Sequence, residues 1–373
     1  MESQIKLFEI SLYLHIPFCD SKCGYCAFNS QINKNHLKTI YMETLARYVS
    51  YKIHNLLEEN QNLQITSVYI GGGTPNSVKS RAYSSLFAEF SPYLAPQAEI
   101  SIEANPNSLS LEWLQTLQSL GVNRLSLGAQ SFEDSKLIFL ERHHRKDSIF
   151  YAIEMALKAG LKNLSIDLIY GTPLCNASLL TQELETACAL PLSHLSAYQL
   201  SIDEGSRFYA NKESLGNLRD FEGDFEGEFE GFLSMGHFIK SYLQTKGFKQ
   251  YEVSNYAKTS PSYHNLRYWE GKEYLGIGAG AVGFQGGVRT SMPKSIEKFL
   301  SGFYEEKEIL STHNQLLEHL FLGFRSCVGV ERKRIPNTRN LKILLEENKV
   351  KQDGERIYAK DYFLGDEIAL FVG

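Results

Sequence analysis

The chain has 373 residues, 43% hydrophobic and 22% charged, long enough for one large core with appendages or for two to three domains. Thirty-eight basic against 43 acidic side chains leave a net charge of -5, which excludes a global positive field for nucleic acid or an anionic membrane. No apolar run approaches the ~18 residues that a bilayer span needs, and the N-terminus, with Glu2 and no apolar h-region, does not read as a signal peptide, so a cytoplasmic protein is expected.

The first predicted strand covers residues 11–16 and runs straight into a cysteine-bearing loop. An amphipathic helix over 37–57 follows, then a strand over 67–70 that ends in Gly71-Gly72-Gly73-Thr74-Pro75. The pattern continues with a helix over 78–90, a strand over 99–103, a helix over 111–120 and a strand over 124–127. A helix over 148–159, a strand over 164–169, a helix over 179–189 and a strand over 195–200 complete it. Strands alternating with helices predict an α/β fold with a parallel sheet. Six such units fit a partial (β/α)6 TIM-type barrel better than a closed eightfold one of about 250 residues; an open doubly wound sheet is the alternative.

Residues 206–236 break this pattern. The run Asp220-Phe-Glu-Gly-Asp-Phe-Glu-Gly-Glu-Phe-Glu-Gly231 repeats an acidic unit and reads as an exposed surface insertion. The segment 237–293 then carries a helix over 235–246 and an aromatic stretch at 251–256, and is expected to cap the barrel. From 294 to 373 a small α+β domain is expected, with helices over 296–303 and 314–324 and a hairpin turning at Asp353 and Gly354. The preceding 1–205 would be the barrel itself.

Polar and glycine-rich segments fall where most strands should end: 15–19, 71–75, 103–106, 128–131 and 167–173. In a β/α barrel that edge carries the chemistry. Among the six cysteines, Cys19, Cys23 and Cys26 form one group. Their spacing suits a single metal centre, either a Cys₃His zinc site completed by His15 or a [4Fe–4S] cluster with one open iron. Cys175, Cys188 and Cys327 read as ordinary buried thiols. The glycines of 71–75 allow close backbone approach to a ligand. Glu103 and Asp167 suit ribose hydroxyls or an ammonium group, Gln130 adds an amide, and Arg142 suits a carboxylate. Gly278, Gly280 and Gly283 match a dinucleotide fingerprint as a string but lack the βαβ frame, so close packing is the better reading.

The Cys-x3-Cys-x2-Cys spacing is the signature of the radical S-adenosylmethionine (SAM) proteins. Together with Tyr13-Leu-His-Ile-Pro-Phe-Cys19, Glu103-Ala-Asn-Pro106, Gly121-Val-Asn-Arg-Leu-Ser-Leu-Gly-Ala-Gln-Ser-Phe132 and Asp167-Leu-Ile-Tyr-Gly-Thr-Pro173, it makes the chain resemble the coproporphyrinogen III dehydrogenase-like radical SAM family. The resemblance implies that Cys19, Cys23 and Cys26 hold a [4Fe–4S] cluster. It implies further that Tyr13, Gly72, Gly73, Thr74, Glu103, Gln130, Arg142 and Asp167 bind SAM. Oxidases of the family extend the triplet with a fourth cysteine, where this chain has Phe28. Tyr251-Glu-Val-Ser-Asn-Tyr-Ala257 and His264-Asn-Leu-Arg-Tyr-Trp269 resemble the family's haem-chaperone branch instead, implying haem held by His264 and passed to an acceptor haem protein. Oxygen-independent dehydrogenation of coproporphyrinogen III is the competing expectation.

Overall fold

The computed structural model describes residues 7–211, 232–302 and 304–373. The repeated Phe-Glu-Gly run lies outside them. Six strands, β1 (Phe8–Ile16), β2 (Leu63–Gly72), β3 (Leu94–Ala104), β4 (Arg124–Gln130), β5 (Asn163–Tyr170) and β6 (His194–Gln199), lie side by side in chain order, each parallel to the next. A doubly wound sheet would reverse its order at a switch point, so the consecutive order selects the partial barrel. Helices α1 (Lys38–Glu59), α2 (Tyr83–Phe90), α3 (Leu111–Ser119), α4 (Asp134–Phe139), α5 (Lys146–Lys158) and α6 (Ala177–Ala189) fill the crossovers.

Each strand separates two environments. Leu12, Val68, Ile100, Leu125, Ile166 and Leu195 are buried in the hydrophobic core. The alternate positions carry one buried serine per strand: Ser11, Ser67, Ser101, Ser126, Ser165 and Ser196. Period-two alternation puts these serines together on the opposite face, inside the barrel.

The predicted helix over 78–90 is shorter than expected. Short 3-10 turns at Pro75–Ser77 and Ser80–Ala82 precede α2, with Val78 and Lys79 extended between them, so the α-helix begins only at Tyr83. Helix α4 escaped the periodicity reading, since six residues span under two turns.

Beyond α7 (Arg207–Ala210) and α8 (Phe232–Thr245), β7 (Lys249–Gln250) and β8 (Asn255–Ala257) extend the sheet past β6. Helix α9 (Tyr263–Trp269) follows, and β9 (Tyr274–Ile277) pairs parallel to β1. The antiparallel strands β10 (Val282–Gln285), β11 (Val288–Ser291) and β12 (Glu306–Ile309) continue that edge, with α10 (Ile296–Leu300) between the last two. A second hydrophobic core joins α11 (Thr312–Phe324), β13 (Val330–Glu331), α12 (Thr338–Glu346), β14 (Val350–Asp353), β15 (Arg356–Ala359) and α13 (Gly365–Val372). The hairpin expected at Asp353 and Gly354 is β14–β15. Among the described residues, no helix is long and apolar enough to cross a membrane.

Helix α9 is anchored to the barrel by a carboxylate. Glu99 of β3 accepts hydrogen bonds from the Ser262 hydroxyl at 3.1 Å and from the amides of Tyr263 and His264, each at 3.0 Å. An acidic group at a helix N-terminus satisfies amides that have no intrahelical acceptor.

A buried ion pair joins α4 to α6: Lys136 Nζ lies 2.6 Å from Glu183 Oε2. Ser131 and the Phe132 amide also donate to Glu183. Removing one partner strands a buried charge, so Lys136→Met should cost about 3–5 kcal/mol in urea unfolding; a loss below about 1 kcal/mol would remove the pair from this role.

Candidate functional site

The loop after β1 is held from both sides. The amides of Gly73 and Thr74 donate to Ile16 O at 2.8 Å and Phe18 O at 2.7 Å, so the glycine turn after β2 is zipped to the cysteine loop. Gly73 has no alternative, because a Cβ there would stand 2.7 Å from Phe18 O and 3.0 Å from Cys19 Sγ. On the other side Asn29 donates to Ala279 O at 2.8 Å and Lys294 O at 3.0 Å. Gly278 and Gly280 serve this packing, since a Cβ on them would strike His15 and Asn29.

Cys19, Cys23 and Cys26 are free and half-buried. They line one cavity of about 150 Å³ together with Gly72, Gly73, Thr74, Glu103, Gln130, Arg142 and Asp167. Ten of the twelve residues singled out from the sequence therefore meet at one mouth. Tyr13 stands behind it, its ring stacked on Tyr69 at 6.3 Å and its hydroxyl 2.9 Å from His15 Nδ1.

His264 is not at this mouth. It is 1% exposed and stacks on Tyr69 at 5.2 Å. Ser67 donates to Ser11, so its oxygen takes the His264 Nδ1 proton at 2.8 Å, and Tyr268 donates to Nε2 at 3.0 Å. Burial holds the imidazole at a pKa of about 3, hence neutral, with its one lone pair engaged by Tyr268.

The charged groups at the mouth are set by burial and by one another. Burial pushes Glu103 up to about 7, against hydrogen bonds from the Tyr69 hydroxyl at 2.8 Å and the Gly72 amide at 3.1 Å. Burial likewise pushes Asp167 up to about 6. Arg142 reaches across the opening: Nη1 donates to Cys23 Sγ at 3.4 Å, and Nη2 donates to Asn105 Oδ1 at 2.6 Å and Gly128 O at 2.8 Å. Its Nε is buried without a hydrogen-bond partner.

This donor set fits an iron–sulfur cluster with a ligand seated beside it. Three thiols line one cavity without a group of three His, Cys, Asp or Glu side chains converging to hold a single ion among the described residues. A polynuclear cluster takes each thiolate on a separate iron. The orphaned Arg142 nitrogen and the side-chain-free turn beside Cys19 leave polar contacts for a ligand to complete.

The mouth opens into a second cavity of about 310 Å³ inside the barrel, with Phe28, 71% exposed, on the wall of both. Arg124, His194, Tyr198 and Asn265 line its inner part. Sequence reasoning missed these residues, because strand polarity marks them only once the barrel brings the strands together. A larger cleft of about 1240 Å³ lies elsewhere, between α9 and the second core, and includes Tyr268, Tyr274, Phe284 and Phe321. Cys327, expected to be buried, is exposed at its edge, whereas Cys175 is buried as expected.

Residues 13–187 match the Radical SAM superfamily. The heme chaperone HemW of Bacillus subtilis is 34% identical over 334 residues, covering 87% of this chain and 85% of that protein. The heme chaperone HemW of Escherichia coli is 34% identical over 314 residues, 82% of this chain and 79% of that protein. The solved structure of coproporphyrinogen III oxidase (HemN) from Escherichia coli superposes with a TM-score of 0.79 at 19% identity, covering 98% of this chain and 90% of that one, which shows the shared fold. With its cysteine triplet on the barrel mouth and its likeness to these relatives running almost end to end, the chain belongs to the radical SAM superfamily, in the branch of the HemW heme chaperones.

Proposed function

We propose that this chain is a cytoplasmic haem chaperone that binds a [4Fe–4S] cluster, SAM and haem, and hands haem to an acceptor protein. Likeness to proteins named heme chaperones over 87% of the chain carries this reading. Membership of the superfamily implies the cluster and SAM. Phe28, standing where oxidases of the family place a fourth cysteine, supports carriage over porphyrinogen oxidation.

Cys19, Cys23 and Cys26 would hold the cluster, which when bound supplies an open iron and an electron at the sulfonium of SAM. Around it the chain's own groups bind and orient. Gly72, Gly73 and Thr74 present backbone to the methionine portion, with Tyr13 as second-layer support through Tyr69. Arg142 offers its cation to the carboxylate. Glu103, Gln130 and Asp167 take the ammonium and ribose hydroxyls.

Haem would occupy the large cleft beside α9. Tyr268, Tyr274 and Phe284 give it apolar walls; Arg289, Arg334 and Arg356 also line the cleft, and propionates would reach them by displacing Glu308, Glu318 and Glu331. His264 can ligate iron once Tyr268 gives up its hydrogen bond to Nε2.

Three outcomes test this. Cys23→Ala should remove most of the iron and sulfide from anaerobically reconstituted protein, measured by metal and sulfide analysis; full retention would end the cluster assignment. His264→Ala should weaken haem binding about tenfold or more and shift the Soret band, whereas Tyr268→Phe should preserve it. Wild-type haem affinity and spectrum in His264→Ala would remove His264 from the proposal, and rapid turnover of coproporphyrinogen III would replace the carrier reading altogether.

The third outcome concerns pH. A carboxyl held above its unfolded value binds its proton more tightly in the folded chain. For Glu103, raised from 4.5 to about 7, the associated stability is present below the unfolded value and is lost as pH rises through the folded one. Unliganded protein should therefore lose stability between about pH 5 and about pH 8 in urea unfolding, and Glu103→Gln should remove up to about 3 kcal/mol of that slope while lowering SAM affinity. An unchanged slope would place the Glu103 carboxyl in water.

A further inference from the structure

The outer cleft holds one imidazole with a nitrogen left unmatched. His319 of α11 lines the cleft, and among the described residues it is the only histidine that does. Its Nε2 is buried and has no hydrogen-bond partner. Buried polar atoms are paired with few exceptions, and each exception asks for the group that would complete it.

The surroundings select the kind of group. Every arginine lining the cleft already has a carboxylate: Arg267 meets Glu9 and Glu270, Arg289 meets Glu308 and Glu318, and Arg334 and Arg356 meet Glu331. Burial, then Arg334 and Arg356, holds His319 below its ordinary pKa against the pull of Glu331, so the imidazole is a neutral base with a lone pair to give. A bare cation would find little else here, since no group of three His, Cys, Asp or Glu side chains converges on one ion among the described residues. A metal carried in a macrocycle brings its own equatorial nitrogens and needs only an axial one. Tyr274, Phe284 and Phe321 provide the apolar surface for such a flat ring. His264 reaches iron only after Tyr268 releases its Nε2, whereas His319 gives up no hydrogen bond at that atom.

We infer that His319 is an axial ligand to the iron of haem bound in the outer cleft, its Nε2 turning out of the α11 wall to meet the metal. The inference rests on haem carriage and names the residue that can take iron without breaking a bond first. Helices α9 and α11 then supply one histidine each, with His264 joining when Tyr268 lets go.

The test titrates full-length protein, reconstituted anaerobically with its cluster, with ferric haem and with metal-free protoporphyrin. Losing merely the partner of a metal-ligating imidazole costs about 10- to 100-fold in metal affinity, so His319→Ala should weaken haem binding about tenfold or more and shift the Soret band. Added imidazole should bring the band back, and affinity for the metal-free porphyrin should be unchanged. A side chain that only walls the cleft would give neither response. His319→Gln, which keeps a polar side chain in place, should lose the band as His319→Ala does. Equal losses for haem and porphyrin, without rescue by imidazole, would overturn the ligand role. A band kept in His319→Ala and lost in Cys327→Ser would also overturn it, giving the iron to the sulfur at the edge of the cleft. If the wild type binds no haem, haem carriage fails and this ligand with it. If the wild type binds haem and His319→Ala keeps both affinity and spectrum, only the His319 assignment fails.

Discussion

One small hydroxyl per strand is the constraint on which this molecule depends. Barrel interiors are ordinarily filled by layers of branched apolar side chains. Here Ser11, Ser67, Ser101, Ser126, Ser165 and Ser196 occupy the inner face instead. Two of them, Ser126 and Ser196, line the inner cavity beside its charged groups. Arg124, Glu103 and Asp167 share that interior with Ser126 and Ser196 and with the apolar surfaces of Tyr69, Ile169 and Leu200. The same strands turn leucine, valine and isoleucine outward to the helices, so stability and ligand space come from opposite faces of one sheet.

Much of this was legible in the order of residues. All six parallel strands were legible as short segments in which apolar residues alternate with small polar ones, set between longer helical stretches. The mouth was legible too, since barrel geometry sends every strand end to the same place and the polar segments at those ends could be read one by one. What escaped was whatever depends on register. Arg124 opens a predicted strand with no local sign of the cavity it lines, and Lys136 and Glu183 lie 47 positions apart with no local sign of their pairing.

His264 illustrates the same limit from the other direction. Its surrounding motif pointed to haem, yet the side chain points at Ser67 while its helix neighbour Tyr268 reaches the outer cleft. Asn265, next in the motif, lines the inner cavity. One short helix thus presents residues to two compartments, and a motif read as one binding element is divided between them. Helix α9 is the wall that separates the mouth and barrel interior from the cleft beneath.

That wall has a consequence for how the molecule is made. Glu99 and Ser262 are 163 positions apart, so in a chain made from its N-terminus the carboxylate that caps α9 precedes its partner by that many residues. Closing a loop of this length is costly only logarithmically, and all six parallel strands precede α9 in the chain. A chain that stopped at β6 would therefore hold all six parallel strands without the helix that walls off their interior.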